Sequence, residues 1–411
     1  MPERVNVPAI RFRGFTEEWK ESKFEDIALR RTYISADLSY MRIEYDDIVS
    51  GTGELKTTVF EKISNKAGIE FHKGDVLYGK LRPYLQNWVL PSFSGLAVGD
   101  FWVLQPQDTD SGFLYNLIQT SQFASFANQS IGTKMPRADW NLISKTPFSL
   151  PKSITEQARI GAFFHNLDRL ITLQQRKLAK LKNVKEALLE KMFPQEGESV
   201  PQIRFAGFNG AWEQKKFGQI FDYLWNNSMS RADLTYEKES IQNIHYGDVL
   251  IKFPEILDME KEDVPYIMKR ILNVSKNSLL KDGDIVVTDA AEDETVGKCC
   301  EMKNICDHKV VSGLHTIPCR PKVSFGTGYL GFYMNSSAYH NQLLRLIQGS
   351  KISSISKSAL ENTLIKYPRL IDEQLQIGKL FCDYNASIIL QQQKIEKLQN
   401  FKKACLEKMF V

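Results

Sequence analysis

The stretch EQARIGAFFHNLDRLITLQQRKLAKLKNVKEALLEKMF, from Glu156 to Phe193, decides the fold because the chain contains it twice. It returns without a gap as EQLQIGKLFCDYNASIILQQQKIEKLQNFKKACLEKMF, from Glu373 to Phe410, with about half of the positions identical. A repeat of this length and quality indicates that the chain is built from two homologous halves.

Both copies have the pattern of one long helix. In the first copy neither glycine nor proline interrupts the run after Gly161, and Pro151 and Pro194 stand before and after it. At 1.5 Å per residue, a helix of about 38 residues is about 57 Å long. Apolar residues recur three or four positions apart and form a stripe along each helix. The stripe residues are Ile171, Leu178, Leu181, Leu188 and Met192 in the first copy, and Ile388, Ile395, Leu398, Cys405 and Met409 in the second.

Neither helix can bury such a stripe by itself, so each is the natural partner of the other. Because one globular segment lies between them in the chain, we predict an antiparallel two-stranded coiled coil with a pseudo-two-fold axis. The alternative is that each helix buries its stripe separately in the core of its own domain, since amphipathic stripes are commonly core faces.

The repeat also marks the start of each half. PAIRFRGFTEEW, Pro8–Trp19, returns as PQIRFAGFNGAW, Pro201–Trp212, whereas the sequences between the repeated segments diverge. Short apolar runs with turn signals, such as the one opened by Gly74-Asp75 and echoed by Gly283-Asp284, predict β-rich domains with some helix. We therefore predict an α+β fold with globular domains at 1–150 and 200–366 and spacer helices at 151–199 and 367–411. Two equal scaffolds with different surfaces suit the recognition of two different targets.

Composition excludes several classes of protein. The 411 residues are 43% hydrophobic and 25% charged with a net charge of +4, which are ordinary globular values. No apolar run reaches the roughly 20 residues that span a bilayer, and the first residues lack the apolar core of a secretion signal. We therefore expect a cytoplasmic protein with reduced cysteines. A zinc site could be built from Cys299, Cys300, Cys306, Cys319, His308 and His315, but without a C-x-x-C knuckle a plain core is favoured.

Several polar residues are candidates for contact with a nucleic acid. Lys80, Arg82 and Tyr84 follow a predicted strand and could reach bases or phosphates, and Thr288 is placed at the same point of the second half. The tripeptides Gly132-Thr133-Lys134 and Gly349-Ser350-Lys351 recur after helices and could present phosphate-binding donors. Arg137 and Lys357 complete the set. The alternatives are helix C-caps for the tripeptides and a solvated surface for the cations.

Motifs for catalysis are missing. Gly326, Gly328 and Gly331 fit G-x-G-x-x-G, but the required preceding strand, βαβ unit and later acid are not evident, and the first half keeps one glycine of the three. The chain also lacks a G-x-x-x-x-G-K-[ST] loop, H-E-x-x-H and G-x-S-x-G. These absences favour a binding protein over an enzyme.

The repeated motifs resemble one known family. Each long helix carries E-Q-x-x-I-G near its start and ends in L-E-K-M-F, and each half opens with I-R-F-x-G-F, a pattern similar to the specificity subunits of type I restriction-modification systems. The resemblance covers the whole chain. It implies two target recognition domains that each read one half of a bipartite double-stranded DNA site, with the antiparallel helices fixing the gap between the halves.

The resemblance also implies partners. The family works with two methylation subunits, which hold S-adenosylmethionine, and two restriction and translocase subunits, which use ATP and magnesium. This chain would then be non-catalytic and carry no cofactor or metal. The helix cations Arg176, Lys177, Lys180, Lys182 and Lys185 could meet the methylation subunits or the DNA between the half-sites, or simply face solvent.

Two other functions stay open at this stage. A methylase-nuclease fusion would need a catalytic module, and a coiled-coil adaptor would bind proteins through its two globular heads. The sequence leaves open which DNA sequence is read, which side chains touch bases and whether a restriction subunit is present.

Overall fold

The computed structural model describes residues 6–129, 134–268, 275–349 and 352–411. The chain forms two compact units. The first unit contains the residues up to Lys177 together with Gln391–Val411, and the second contains Leu178–Leu390. Each unit therefore combines one globular domain with a segment of each long helix.

Over its described residues, the first unit has short strands and four short α-helices before the first long helix. Its strands are β1 (Lys20–Lys23), β2 (Ala28–Arg31), β3 (Ile34–Ser35), β4 (Met41–Ile43), β5 (Ile48–Val49), β6 (Glu54–Leu55), β7 (Gly68–Phe71), β8 (Val76–Gly79), β9 (Trp88–Val89), β10 (Gly95–Ala97), β11 (Phe101–Pro106) and β12 (Pro147–Leu150). Its helices are α1 (Phe24–Ile27), α2 (Ser111–Leu117), α3 (Ser121–Ala127), α4 (Trp140–Lys145) and the long α5 (Ile154–Lys191), which continues into the second unit.

The second unit repeats this plan. Its strands are β13 (Glu213–Lys216), β14 (Phe221–Tyr223), β15 (Leu234–Thr235), β16 (Gln242–Ile244), β17 (Ile256–Asp258), β18 (Tyr266–Ile267), β19 (Ile285–Thr288), β20 (Ala290–Ala291), β21 (Cys299–Lys303), β22 (Val310–Ser312), β23 (Thr316–Pro321), β24 (Ser353–Ser354) and β25 (Leu364–Tyr367). Its helices are α6 (Phe217–Ile220), α7 (Tyr246–Ile251), α8 (Tyr329–Asn335), α9 (Ser337–Leu344), α10 (Lys357–Glu361) and the long α11 (Ile371–Met409), whose end belongs to the first unit.

The larger sheets of the two globular domains share one strand order, whereas the second domain adds the edge strand β17 and orders the strands of its smaller sheet differently. The first unit has sheets of order β2-β11-β8-β9 and β3-β7-β10-β4, and the second has β14-β23-β19-β21-β17 and β15-β18-β16-β22. In addition, β1 pairs with β12 as β13 pairs with β25, so that each domain opens and closes on neighbouring strands. The internal repeat predicted from the helices therefore extends through the diverged segments.

The Gly-Asp echo of the sequence has a structural cause. Asp75 accepts a hydrogen bond from Arg31 Nε at 2.7 Å, and Asp284 accepts bonds from Arg320 at 2.8 and 2.6 Å. Each aspartate also accepts from the backbone three residues earlier and so closes the turn that leads into β8 or β19. The residue pair is kept because the turn and the neighbouring strand both depend on its carboxylate.

Aromatic side chains fill the two main cores. In the first unit, Phe24, Phe113 and Phe148 are at most 1% exposed and pack with Cys405 and Met409 from the end of α11. Full burial of one such phenylalanine contributes about 1.5–3 kcal/mol. Because the start of α5 and the end of α11 meet the same core, the two helices run antiparallel there.

The second unit shows the converse arrangement. Phe193, at the end of the first repeated stretch, stacks on Phe381 of α11 with ring centroids 5.9 Å apart, and Met192 and Ile377 lie in the same core. The end of α5 thus packs beside the start of α11. The predicted α+β fold with an antiparallel helix pair is confirmed, and α5 (Ile154–Lys191) begins and ends two residues before the repeated stretch Glu156–Phe193 does.

Candidate nucleic-acid interface

The Glu-Gln pair at the start of each long helix contacts the I-R-F-x-G-F segment that opens the same half of the chain. Arg11 donates from Nε and Nη2 to the Glu156 carboxylate at 2.6 and 2.8 Å, and this carboxylate is 1% exposed. Gln157 accepts from the Asp110 amide at 2.9 Å and donates to the Pro151 carbonyl at 2.8 Å. The arginine of I-R-F and the start of the helix are therefore joined by a buried ion pair.

The second half repeats this clamp. Arg204 donates to Glu373 at 2.7 and 2.9 Å, while Gln374 accepts from the Gly326 amide at 2.7 Å and donates to the Pro368 carbonyl at 2.8 Å. The motifs that carry the family resemblance are thus used to attach each globular domain to a long helix. Their side chains are occupied inside the protein and are not free for a ligand.

The glycine of E-Q-x-x-I-G lets backbone approach backbone. A methyl group added at Gly161 would lie 2.9 Å from the carbonyl carbon of Gly112, and one added at Gly378 would meet the Thr327 carbonyl oxygen. At both glycines a Cβ atom would lie closer to the neighbouring backbone than an unstrained side chain allows. The helix therefore keeps glycine at this position despite its low helix propensity.

We expect Gly161→Ala to destabilise the first unit. Alanine favours a helix interior by about 1 kcal/mol relative to glycine, but overpacking against backbone costs about 1–3 kcal/mol, and Gly112 has no flexible side chain that can move away. Urea unfolding of the full-length chain would measure the loss, with Ala162→Gly at an exposed site of the same helix as the control for propensity alone. A rise in the unfolding midpoint of Gly161→Ala would contradict the close packing.

The predicted contact residues of the first half meet at the end of β8. Lys80 Nζ lies 3.5 Å from Asp100 Oδ1, and Arg137 Nη2 donates to Asp100 Oδ2 at 3.0 Å. Burial alone would raise the pKa of Asp100, but Arg137 and Lys80 together lower it, so the carboxylate is held ionised. The structure brings together two cations that lie far apart in sequence, around an acid that sequence reasoning missed.

The neighbouring residues of this loop are exposed. Arg82 has a left-handed backbone with φ 49°, and its amide donates to the Pro136 carbonyl at 2.7 Å. Tyr84 is 49% exposed, and Lys134 is exposed as well. We name Lys80, Arg82, Asp100 and Arg137 the first loop site. Its role in DNA contact stays a prediction.

Thr288 departs from the sequence prediction. It is fully buried in β19, and its hydroxyl donates to the Lys298 carbonyl at 3.0 Å, so it offers no surface to a nucleic acid. The strand pairing shows the reason, since Gly79 lies opposite Phe101 and Thr288 lies opposite Thr316. Thr288 therefore matches Gly79, and Asp289 is the true counterpart of Lys80. The sequence comparison was displaced by one residue.

Asp289 belongs to a second loop site at the equivalent place. Its carboxylate Oδ1 lies 3.1 Å from His315 Nδ1, and the His315 ring contacts the edge of Tyr246 with centroids 5.2 Å apart. Both Asp289 and His315 are partly exposed, with 30% and 48% of their side-chain surface accessible. We name Asp289, His315 and Tyr246 the second loop site.

The remaining predicted contacts are divided between exposed and undescribed positions. Lys357 is exposed at the start of α10, with Nζ 5.6 Å from the centre of the Tyr223 ring. Thr133, Ser350 and Lys351 lie outside the described residues, so the two Gly-Ser/Thr-Lys tripeptides stay predictions.

The zinc and nucleotide hypotheses find no support. Cys299, Cys300 and Cys319 are buried in the second unit and Cys306 is exposed. Among the described residues no three His, Cys, Asp or Glu side chains come together as a metal site requires. Burial raises the pKa of Cys300 to about 12, which keeps that thiol protonated.

The G-x-G-x-x-G amides are already bound by the protein. Gly328 and Gly331 donate to the two oxygens of Glu301 at 2.6 and 2.9 Å, and Gly326 donates to Gln374 as described above. Burial raises the pKa of Glu301 to about 7 although these amides act in the opposite direction. An internal carboxylate thus stands where a phosphate would bind in a nucleotide site.

All ten stripe residues are buried or half-buried, but they do not all serve the helix pair. Met192, Cys405 and Met409 lie within the domain cores, and Leu188 packs against one. Both packing arrangements considered from the sequence therefore occur along the same helices. The remaining stripe residues are Ile171, Leu178, Leu181, Ile388, Ile395 and Leu398.

A buried polar pair interrupts the apolar stripe. Gln391 Nε2 donates to the side-chain and backbone oxygens of Gln174 at 2.8 and 3.0 Å, and the two residues are 6% and 8% exposed. They occupy equivalent positions of the repeat. A buried polar residue in a coiled coil favours the one register in which it finds its partner, so this pair defines how the helices align. The sequence carried the signal, since both copies read L-Q-Q here.

The helix cations are not equivalent. Arg176, Lys177, Lys180 and Lys182 are exposed, whereas Lys185 is 16% exposed and pairs with Glu255 at 2.7 Å. Glu255 also accepts from Asn385 at 3.0 Å. Lys185 therefore attaches the end of α5 to the globular domain of the second unit and is removed from the set of candidate DNA or partner contacts.

The first unit has a different contact at the matching position. Lys402, the repeat partner of Lys185, pairs with Asp168 at 2.7 Å and donates to Gln119 at 3.1 Å. These residues line a groove of about 1110 Å³ between the Gly51–Glu54 loop, α2 and the two long helices.

Comparison with known proteins decides the family. The family model described as the type I restriction modification DNA specificity domain matches residues 16–183 and again residues 209–400. The two matches cover most of the chain and fall on its two halves. The chain belongs to this family.

Individual relatives agree with the assignment. A curated relative, the type I restriction enzyme EcoDI specificity subunit of Escherichia coli, is 26% identical over 196 residues, a match that covers 45% of this chain and 43% of the relative. The chain therefore aligns with less than half of that relative's length.

Solved structures show the same fold. A chain from a study of complex assembly and conformational transition of the type I R-M system has a TM-score of 0.56 at 18% identity and covers 95% of this chain and 97% of its own length. The type I restriction-modification S subunit from M. genitalium has a TM-score of 0.53 at 11% identity, with 98% and 99% covered. Over the described residues, no helix has the length and apolar character needed to cross a membrane.

Proposed function

We propose that this chain is a non-catalytic, sequence-specific DNA-binding subunit of a type I restriction-modification enzyme, and that each globular domain reads one half of a bipartite site. The observation that carries the proposal is the double match to a DNA specificity domain. It supports a bipartite site, because two copies of a recognition domain in one chain can engage two separate half-sites at once.

The loop sites support this proposal. Both follow an inner strand of the larger sheet of their domain, β8 in the first domain and β19 in the second, and both expose polar or charged side chains. A recognition protein needs a rigid scaffold that presents variable loops. The shared strand order of the larger sheets supplies the scaffold, and the differing loops supply two specificities.

The proposal also includes partner subunits that carry out methylation and restriction of the DNA. Two methylation subunits would hold S-adenosylmethionine, and two restriction and translocase subunits would use ATP and magnesium. The complex would act in the cytoplasm. The exposed helix cations Arg176, Lys177, Lys180 and Lys182 would contact the methylation subunits or the phosphates between the half-sites, where each neutralised phosphate makes binding more sensitive to salt.

Co-expression with a methylation subunit of the same type of system tests the proposal directly. We expect single-molecule sequencing of the host genome to find methylated adenines in a split motif with a fixed gap. Reintroducing the chain with four alanines at Arg176, Lys177, Lys180 and Lys182 would show whether these cations contribute to the assembly. Repeated absence of methylation, with the assembled complex demonstrated, would contradict the proposal and favour a protein-binding adaptor.

A further inference from the structure

The two loop sites occupy the same position of the shared scaffold. The strand pairing aligns Gly79 with Thr288 and Phe101 with Thr316, and it therefore aligns Lys80 with Asp289 and Asp100 with His315. One backbone hydrogen bond is kept in both domains, from the amide of Lys80 to the Asp100 carbonyl at 2.9 Å and from the amide of Asp289 to the His315 carbonyl at 3.1 Å.

A tyrosine is kept beside each site. Tyr45 follows β4 and Tyr246 follows β16 at the same distance, with β4 and β16 in matching sheets. The Tyr45 hydroxyl donates to the Asp100 carbonyl at 2.6 Å, and the Tyr246 ring packs against His315. The backbone and its aromatic support are thus shared, and the difference is confined to the functional groups.

Those functional groups differ, because an acid replaces the lysine and an imidazole replaces the acid. Where the first site has Lys80 paired with Asp100, the second has Asp289 paired with His315. The adjacent strand changes as well, because the bridge Leu81–Arg137 in the first domain corresponds to the pairing of Ala290 with Ser354 in the second. The first site therefore gathers cations around a single acid, and the second presents an acid and an imidazole without the arginine.

The chemistry of each set selects a different base edge. Ammonium and guanidinium groups only donate hydrogen bonds, and in the major groove guanine offers two acceptors, O6 and N7. A carboxylate only accepts, and adenine and cytosine offer an exocyclic amino group there. If the His315 Nδ1 hydrogen points to Asp289, the free Nε2 is a further acceptor.

We propose that these sites are the base-reading positions of the two domains, with the first loop site reading guanine and the second reading an amino-bearing base, adenine or cytosine. This inference rests on the proposed function. It adds which residues read bases and which class of base each loop site reads. The exposed acids Glu292, Asp293 and Glu294, which follow the second site, oppose phosphate contact, so binding there depends on the base edge and not on the backbone.

Paired substitutions of equal chemistry test the proposal in the assembled methylation complex. Lys80→Gln is compared with Lys145→Gln, an exposed lysine on α4, and Asp289→Asn is compared with Asp293→Asn. The readouts are the methylated motif in the genome and the sequences that the purified complex selects from a random DNA duplex library.

We expect Lys80→Gln to reduce the preference for guanine at one position of one half-site by about tenfold to a hundredfold, and to leave the other half unchanged. Asp289→Asn should relax one adenine or cytosine position of the other half-site, because the new amide both donates and accepts. Neither control should change the motif, although Asp293→Asn should tighten binding to all sequences alike by removing a repelling charge.

The outcomes distinguish a failure of this inference from a failure of the proposed function. A split motif that persists unchanged in both Lys80→Gln and Asp289→Asn overturns the inference and leaves the proposed function standing. A motif without guanine in the half altered by Lys80→Gln overturns the base assignment. A wild-type complex that selects no sequence at all overturns both.

Discussion

Glu156→Ala should destabilise the first unit by about 3–5 kcal/mol, because it leaves the partly buried Arg11 without its carboxylate. The Arg11 side chain is 12% exposed, and Glu156 receives two of its hydrogen bonds. The hydrogen bonds to Glu156 raise the pKa of Arg11. Without them the guanidinium still stays charged, because arginine is not deprotonated in proteins at neutral pH. Hydrogen exchange of the full-length chain, read separately in the two units, would measure the loss.

The matched controls lie in the same fold. Glu18→Ala removes an exposed acid a few residues from the opener and should change stability by less than about 0.5 kcal/mol. The double variant Arg11→Met with Glu156→Leu replaces the whole ion pair by apolar side chains and should recover most of the loss. Equal protection in Glu156→Ala and in the parent chain would contradict the role of the clamp.

The same change in the second half should act on the second unit alone. Glu373→Ala leaves Arg204 unpaired, although Arg204 also donates to the Gly210 carbonyl at 2.6 Å, so we expect a somewhat smaller loss than in the first half. The two clamps are therefore an internal comparison of how far backbone acceptors can replace a buried carboxylate.

The sequence predicted the architecture well because the information lies in local periodicity and in repetition. The stripe from Ile171 to Met192 has the helical period, and the repeat alone implies two domains. Family resemblance then suggested the function that we propose. The helix bounds follow from Pro151 and Pro194, which restrict where a helix can start and stop.

The site was harder to predict because its parts are brought together by contacts distant in sequence. Asp100 lies directly before β11, and Arg137 forms a bridge with Leu81 after β8. The strand pairing therefore brings the two side chains together. The displacement by one residue at Thr288 has a different cause. Counting from Gly74 and Gly283 already aligns Gly79 with Thr288, so the sequence held the correct register, and the strand pairing agrees with it.

The motif residues Glu156 and Gln157 were easy to find in the sequence, but the sequence did not indicate their role. Their repetition made them conspicuous. In the structure they attach the globular domain to the long helix, through partners as far apart in sequence as Arg11 and Asp110. A motif that identifies a family therefore need not mark its ligand site. The loop sites, which differ between the halves, are where two specificities can arise.

The length of the helix pair should set the gap between the two half-sites. Seven residues added to each helix would lengthen the pair by about 10.5 Å, at 1.5 Å per residue. This equals about three base pairs at about 3.4 Å each. Seven residues also fall only about 20° short of two full turns, so the apolar stripe continues to face its partner.

We therefore expect the methylated motif to keep both half-sites and to gain about three base pairs between them when residues 175–181 and 384–390 are each duplicated, since antiparallel pairing at Gln174 and Gln391 places these segments opposite each other. Both duplications lie on the same side of the Gln174–Gln391 pair, so that pair can still form. The control adds seven residues between Val323 and Ser324, in an exposed loop, and should leave the gap as it is. An unchanged gap in the lengthened chain, with methylation retained, would mean that something other than these helices measures the distance.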